Sequence, residues 1–279
     1  MNATAAPPAG PPYGLIAGNG RFPFLILEAA RSRGLAIIVA AIREETFPEI
    51  EAQGVPVTWL SLGQLGKLIE LFHHHGVRRA VMAGQVQHKQ IFSALRPDWR
   101  MVKLLAGLAA KNTDSLLGAV AAALAAEGVE LESSTAFLQP LLAGEGPLTP
   151  RAPDAREQAD IAYGLGVARQ LAALDIGQTV VIADRACLAA EAMEGTDATI
   201  RRAAALAQGR PLTVVKVAKP KQDPRFDVPV VGPATLAAMR EARATCLAVE
   251  SGITLLLDRE PLLAAAAVAD IAITGVPRP

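Results

Sequence analysis

The chain has 279 residues, 51% of them hydrophobic and 19% charged, and 27 Lys and Arg balance 27 Asp and Glu. At roughly 150 residues per domain this length points to two domains, and so apolar a composition excludes a disordered chain. Zero net charge excludes a general nucleic-acid binder, which carries a basic excess, but not a local anion site. Only 7 Phe, 2 Tyr and 2 Trp occur, so the hydrophobicity is aliphatic, as suits helices packed on a parallel sheet.

Residues 13–17 read as an apolar strand, followed by Gly18-Asn19-Gly20 and a helix opened by Pro23 and ended by Gly34. Proline fits a first helical turn, where its missing N–H costs nothing. Residues 35–41 and 55–60 are strands, 62–76 a helix, and 79–83 a strand ending at Gly84. This alternation predicts a Rossmann-like parallel sheet with helices on its faces. Residues 98–108 and 115–127 are helical, with a short strand at 130–132. The stretch QPLLAGEGPLTPRAP at 139–153 is rich in Pro and Gly and reads as a linker.

Beyond it, 154–173 is helical and 179–183 a strand. Helical segments are expected at 186–192 and 197–208, a strand at 212–218, then a polar loop. A helix at 235–242, strands at 246–249 and 254–257, and a helix at 259–269 complete a second, distinct α/β domain. The expected organisation is a flexible tail (1–12), an N-terminal domain (13–135), a linker region (136–156) and a C-terminal α/β domain (157–279).

Two cysteines, Cys187 and Cys246, exclude a disulfide framework and a cysteine metal cluster. Their Ala-rich surroundings predict buried structural thiols. No apolar run reaches the roughly 18 residues of a membrane span. The first residues lack the charged and apolar regions of a signal peptide, so a cytoplasmic location is expected.

Several segments carry residues suited to chemistry. Gly18-Asn19-Gly20-Arg21 lies between a strand and a helix, where glycines let backbone N–H groups approach a phosphate. Arg21 is a candidate anion ligand, although a tight turn alone accounts for the pattern, since Pro23 and Phe24 stand where a dinucleotide fingerprint has its third glycine. Gly84 and Gln85 follow a strand, the end at which open α/β sheets bind ligands; Gly84 allows close approach and Gln85 a hydrogen bond, although a strand-terminal turn alone accounts for the segment equally well. Asp114 is either a helix cap or a metal ligand. His73, His74 and His75 end a helix, where positive charge is favoured, and adjacent histidines there do not converge on one ion. Glu194, Thr196 and Asp197 open a helix, where capping and a metal or phosphate site are equally open readings.

The strongest segment is 219–227. Lys219, Lys221 and Arg225 are interleaved with Asp223 and Asp227, and Pro220 and Pro224 stiffen the loop. Cations neutralise phosphate oxygens while carboxylates hold Mg²⁺ or orient water; a solvated, salt-bridged loop is the alternative reading of the same charges.

At these residues the chain resembles a known family. GLIAGNG at 14–20, the turn at 83–86, EGTDATI at 194–200, VKVAKPKQDPRFDVPVVG at 215–232 and VESGITLLLD at 249–258 are together similar to the LpxI family, over nearly the whole chain. The resemblance implies a Mg²⁺-dependent hydrolase of lipid A and lipopolysaccharide biosynthesis. It would split UDP-2,3-diacylglucosamine into UMP and lipid X, with water attacking the α-phosphorus. It implies Asp223, Asp227, Lys219 and Arg225 as catalytic residues, with Asp223 favoured. Substrate contacts would come from Gly18, Asn19, Gly20, Arg21, Gly84, Gln85, Thr196, Lys221 and Gln222. Metal ligands would come from Asp223, Asp227, Glu194, Asp197 and, secondarily, Asp114; the residues at Asn112 and Thr113 depart from the Gly-Asp pattern expected there. The diacylated substrate implies peripheral contact with the inner membrane, and base rates favour a homodimer. The alternatives are a nucleotide-sugar binding or glycosyl-transferring two-domain protein, or a noncatalytic carrier.

Overall fold

The computed structural model describes residues 10–84, 97–108, 113–220 and 222–278. The chain is a mixed α/β protein of two units: residues up to Leu138 together with Pro224–Phe226, and Gln139–Asp223 together with Asp227–Pro279.

In the first unit, β1 (Tyr13–Ala17), β2 (Ile37–Ile42), β3 (Val57–Leu60), β4 (Arg79–Ala83) and β5 (Glu130–Leu131) form one sheet in the order β3-β2-β1-β4-β5. All four pairings are parallel. That is the order of a doubly wound nucleotide-binding sheet, with its reversal between β1 and β4. The helices are α1 (Phe22–Ser32), α2 (Leu65–His74), α3 (Trp99–Ala106) and α4 (Thr113–Ala126). Ile16, Ile38 and Ala40 of the strands form one apolar cluster with Leu68, Ile69 and Phe72 of α2 and Leu124 of α4. The cluster excludes water from one face of the sheet, and full burial of each such side chain contributes about 1.5–3 kcal/mol. Asp98 caps α3 by accepting from the Met101 N–H at 2.9 Å. His73 reaches across to the Glu127 carbonyl at 2.8 Å, so this histidine ties α2 to the end of α4.

The second unit contains a six-stranded mixed sheet and a two-stranded one. The six strands are β6 (Gly146–Pro147), β7 (Thr179–Ala183), β8 (Ala186–Ala190), β9 (Leu212–Lys216), β11 (Ala244–Glu250) and β13 (Ala272–Val276), in the order β6-β13-β11-β9-β7-β8. β9, β11 and β13 run parallel; β7 runs against β9, β8 against β7 and β6 against β13. The small parallel pair is β10 (Val230–Val231) with β12 (Leu255–Leu256). Alternating side chains serve two cores. Val181, Val214, Leu247 and Ile273 pack with residues of α6 (Thr196–Ala207), α7 (Pro233–Glu241) and α8 (Arg259–Val268). Val180, Val215, Cys246 and Ala272 pack with Ile161 and Ala168 of α5 (Ala155–Ala173). This is the period-two alternation of a sheet covered on both faces.

The structure corrects two expectations at one place. Residues 186–190 form strand β8, not helix, and Cys187 is exposed. Asp184 and Arg185 both take positive φ, 52° and 58°, the backbone of a type I′ hairpin turn. The turn sits where neither residue is the usual Asn or Gly. Asp160, fully buried, accepts from the Arg185 N–H at 2.7 Å and pairs with Arg156 at 2.9 Å. A buried carboxylate thus holds the turn, and the strand it returns lies at the sheet edge, which leaves Cys187 uncovered.

Candidate functional site

Two groups of sequence-selected residues are assembled, one in each unit. In the first unit the Gly18 N–H donates to the Ala83 carbonyl at 2.8 Å, joining the turns that leave β1 and β4 at the reversal of strand order. Gly84 has φ +97°, and a Cβ there would lie 2.5 Å from the Asn19 carbonyl oxygen and 2.7 Å from the Gly18 carbonyl carbon. Glycine is therefore required twice, by conformation and by space. Asn19 donates to the Glu45 carboxylate at 3.5 Å, and Gly20 takes φ +91°. Arg21 occupies the N-cap of α1 and pairs with Glu28 at 2.8 Å on the surface. Gly18, Asn19, Gly20, Arg21 and Gly84 thus converge at the carboxyl end of the sheet. Gln85 lies outside the described residues, as does the side chain of Asp114.

In the second unit the polar loop leaves the carboxyl end of β9. The Lys219 N–H donates to Gln222 Oε1 at 2.8 Å, and the Gln222 N–H returns to the Lys219 carbonyl at 3.2 Å. The Asp227 N–H donates to the Asp223 carbonyl at 3.0 Å, which closes one helical turn. Lys219 Nζ lies 2.7 Å from Asp175 and 3.8 Å from Asp227, so one ammonium is shared by two carboxylates. Gln222 Nε2 is buried and has no hydrogen-bond partner among the described residues. In the first unit the Pro224 carbonyl accepts from the Ser134 N–H at 2.9 Å, and the Arg225 guanidinium lies 5.7 Å from the Phe226 ring centroid. Lys221 lies outside the described residues.

The helix opening at 194–197 is engaged internally. Glu194 pairs with Arg202 at 2.6 Å and accepts from the Ala192 N–H at 3.1 Å. Backbone hydrogen bonding and that arginine hold its carboxyl below the usual carboxylate value. Asp197 accepts from Thr235 at 2.8 Å. The Thr196 hydroxyl donates to Glu191 at 3.0 Å, contacts Thr179 at 3.2 Å and accepts from Lys216 at 2.7 Å.

Lys216 was hidden in sequence by its position in the aliphatic run LTVVKVA. It is buried, and desolvation pulls its pKa below the ordinary lysine value, against the opposing pull of Glu191, Asp197 and Asp227. A cation in an otherwise apolar buried strand was the available signal. Glu250, buried at the end of β11, accepts from the Ala218 N–H at 2.9 Å and pairs with Arg169 at 3.1 Å, anchoring the start of the loop. Because β7 runs against β9, the start of β7 and the end of β8 reach this same edge. A cavity of about 640 Å³ opens elsewhere, beside Arg243, Ala244 and Thr245 at the start of β11, and contains none of the loop residues. Among the described residues no group of three or more His, Cys, Asp and Glu is arranged to hold a metal ion.

A doubly wound unit and a mixed-sheet unit, each with a polar cluster at strand ends, define a two-domain α/β protein. Residues 12–141 match the LpxI N-terminal domain and residues 144–274 match the LpxI C-terminal domain. The chain is also 34% identical, over 273 residues covering 94% of it and 96% of its relative, to a protein of Caulobacter vibrioides named UDP-2,3-diacylglucosamine pyrophosphatase LpxI. The chain belongs to the LpxI family. None of the helices among the described residues is long and apolar enough to cross a membrane.

Proposed function

We propose that this chain hydrolyses the diphosphate of UDP-2,3-diacylglucosamine to UMP and 2,3-diacylglucosamine 1-phosphate. The observation that carries the reading is the 219–227 loop: Lys219 shared between Asp175 and Asp227, with Asp223 one helical turn before Asp227. This loop lies in a chain that matches an enzyme of that name along nearly its full length.

Magnesium is held through one or two carboxylates, waters and substrate phosphates rather than by an all-protein cage. Asp223 and Asp227, one helical turn apart in the loop, supply two such carboxylates; Glu194 pairs with Arg202 and Asp197 accepts from Thr235. Asp223 and Asp227 would hold the ion, which when bound neutralises charge on the diphosphate. Lys219 and Arg225 reduce the repulsion between phosphate oxygens and the incoming water. Gln222 Nε2, buried and without a hydrogen-bond partner among the described residues, donates to the substrate. The water oxygen bonds to the α-phosphorus as the bond from that phosphorus to the bridging oxygen breaks. The electron pair leaves on the sugar 1-phosphate, and one water proton passes to solvent. The acyl chains place the substrate at the cytoplasmic face of the inner membrane, where the protein would act peripherally.

The test is incubation of the purified chain with UDP-2,3-diacylglucosamine in ¹⁸O-water, with Mg²⁺ or with EDTA, followed by mass spectrometry. The expected result is one heavy oxygen in UMP, with no product under EDTA. Heavy oxygen in the sugar phosphate would reverse the site of attack, and absence of both products with Mg²⁺ would overturn the function.

A further inference from the structure

Lys216 is 8% exposed and is the last residue of β9, in register with Thr179 of β7. An ammonium carries three N–H donors. Among the described residues Lys216 Nζ has one hydrogen-bond partner, the Thr196 hydroxyl at 2.7 Å. That hydroxyl is itself fixed, donating to Glu191 at 3.0 Å and meeting Thr179 at 3.2 Å. Thr196 thus sets the position of the ammonium and takes one of its three donors.

Burial of a cation is costly unless its donors are used. Here the nearby carboxylates of Glu191, Asp197 and Asp227 offset part of that cost, and the net pKa still falls below the ordinary lysine value. Buried donors are ordinarily satisfied in folded proteins, and an exception calls for an explanation. The 219–227 loop begins three residues after Lys216, and Asp227 of that loop is among the charges it feels. Hard, anionic phosphoryl oxygens are the acceptors that an ammonium in this position suits.

We infer that Lys216 is a phosphate-binding residue of the reaction site, its open N–H donors taking a non-bridging oxygen of the diphosphate, and that Thr196 is its positioning residue. The inference rests on the pyrophosphatase reading for its substrate, and two readouts separate them. The first is kcat/KM on UDP-2,3-diacylglucosamine. The second is binding of UDP to the full chain by calorimetry, which needs no turnover. Lys216→Met keeps an unbranched side chain one atom shorter and removes the charge. It is expected to lower kcat/KM about 100-fold, the scale of losing one charge-stabilising donor, and to weaken UDP binding about tenfold. Lys216→Arg, which restores the charge, is expected to recover part of both losses. Thr196→Val keeps the cation but unseats it, and is expected to lower kcat/KM about tenfold; it carries the test if the methionine variant fails to fold. Wild-type UDP affinity in Lys216→Met, or wild-type values throughout in Thr196→Val, would overturn the inference. A wild-type protein that binds UDP through Lys216 but turns nothing over would overturn only the pyrophosphatase reading.

Discussion

Replacing Gly84 by alanine tests whether close approach at the strand-order reversal is structural fact. Two costs are separable. Alanine at φ +97° incurs the left-handed penalty, about 1–2 kcal/mol. Its Cβ would also sit 2.5 Å from the Asn19 carbonyl and 3.0 Å from the Asn19 nitrogen. Both are backbone atoms that cannot rotate away, so the overpacking adds about 1–3 kcal/mol. Gly76 supplies the control, because its φ is +67° and a Cβ there would meet nothing within 4 Å. Gly76→Ala therefore carries only the conformational part, and Gly84→Ala is expected to be about 1–3 kcal/mol worse. Urea unfolding followed by circular dichroism measures both, compared through midpoints at unchanged slope. Equal destabilisation by the two substitutions would refute the close approach of the two turns.

Asp223→Asn and Asp227→Asn are each expected to lower kcat at least 100-fold with unchanged melting, measured by UMP release; full activity in both would remove the loop from the reaction. Arg151→Met removes the two hydrogen bonds, at 2.8 and 3.0 Å, that Arg151 gives to Glu157, which is 1% exposed, and leaves that carboxylate with Arg156 at 3.6 Å. The expected loss is about 1.5–3 kcal/mol, the scale of hydrogen bonding to a charged group, by denaturant titration. Burial raises the Glu157 pKa, but hydrogen bonds from Arg151, Thr245 and Asp154 outweigh it and leave the value below the ordinary carboxylate one. Its contribution is therefore complete above about pH 4.5 and fades as pH falls through the lowered folded value. Glu157→Gln should accordingly differ most from wild type near neutrality, and least in acid, when unfolding is followed across pH. Burial pushes the Cys246 thiol up to about 12 while Cys187 is exposed. A disulfide reagent should modify Cys187 in the native protein and reach Cys246 only after unfolding, as counted by absorbance.

The first sheet was legible because its strands are aliphatic, short and separated by turn residues, and the Gly18 and Gly84 turns announced where they end. The β7–β8 hairpin was not, because ACLAAEAM is Ala-rich and favours helix locally. Its turn depends on Asp160, more than twenty positions away, to hold Asp-Arg at positive φ. That is tertiary override of local preference. The 219–227 loop was visible as a density of charge, but the pairing of Lys219 with Asp227 was not specified by it. Asp175 and Lys216 were invisible for opposite reasons: one is an ordinary surface residue until the fold brings Lys219 to it, and the other reads as an interruption in a strand.

The reversed strand β7 has a consequence for how the protein becomes functional. It brings Thr179 and the Glu191 end of the hairpin to the edge where β9 and β11 finish. Glu250, which anchors the loop, comes far later in the chain than Asp175, which pairs with its first lysine. Contacts of such long sequence separation form slowly, because the entropy of loop closure is lost before they form. During synthesis the charged edge is therefore complete only after β11 has emerged, and a ribosome-bound chain truncated before Glu250 would carry the loop without its anchor.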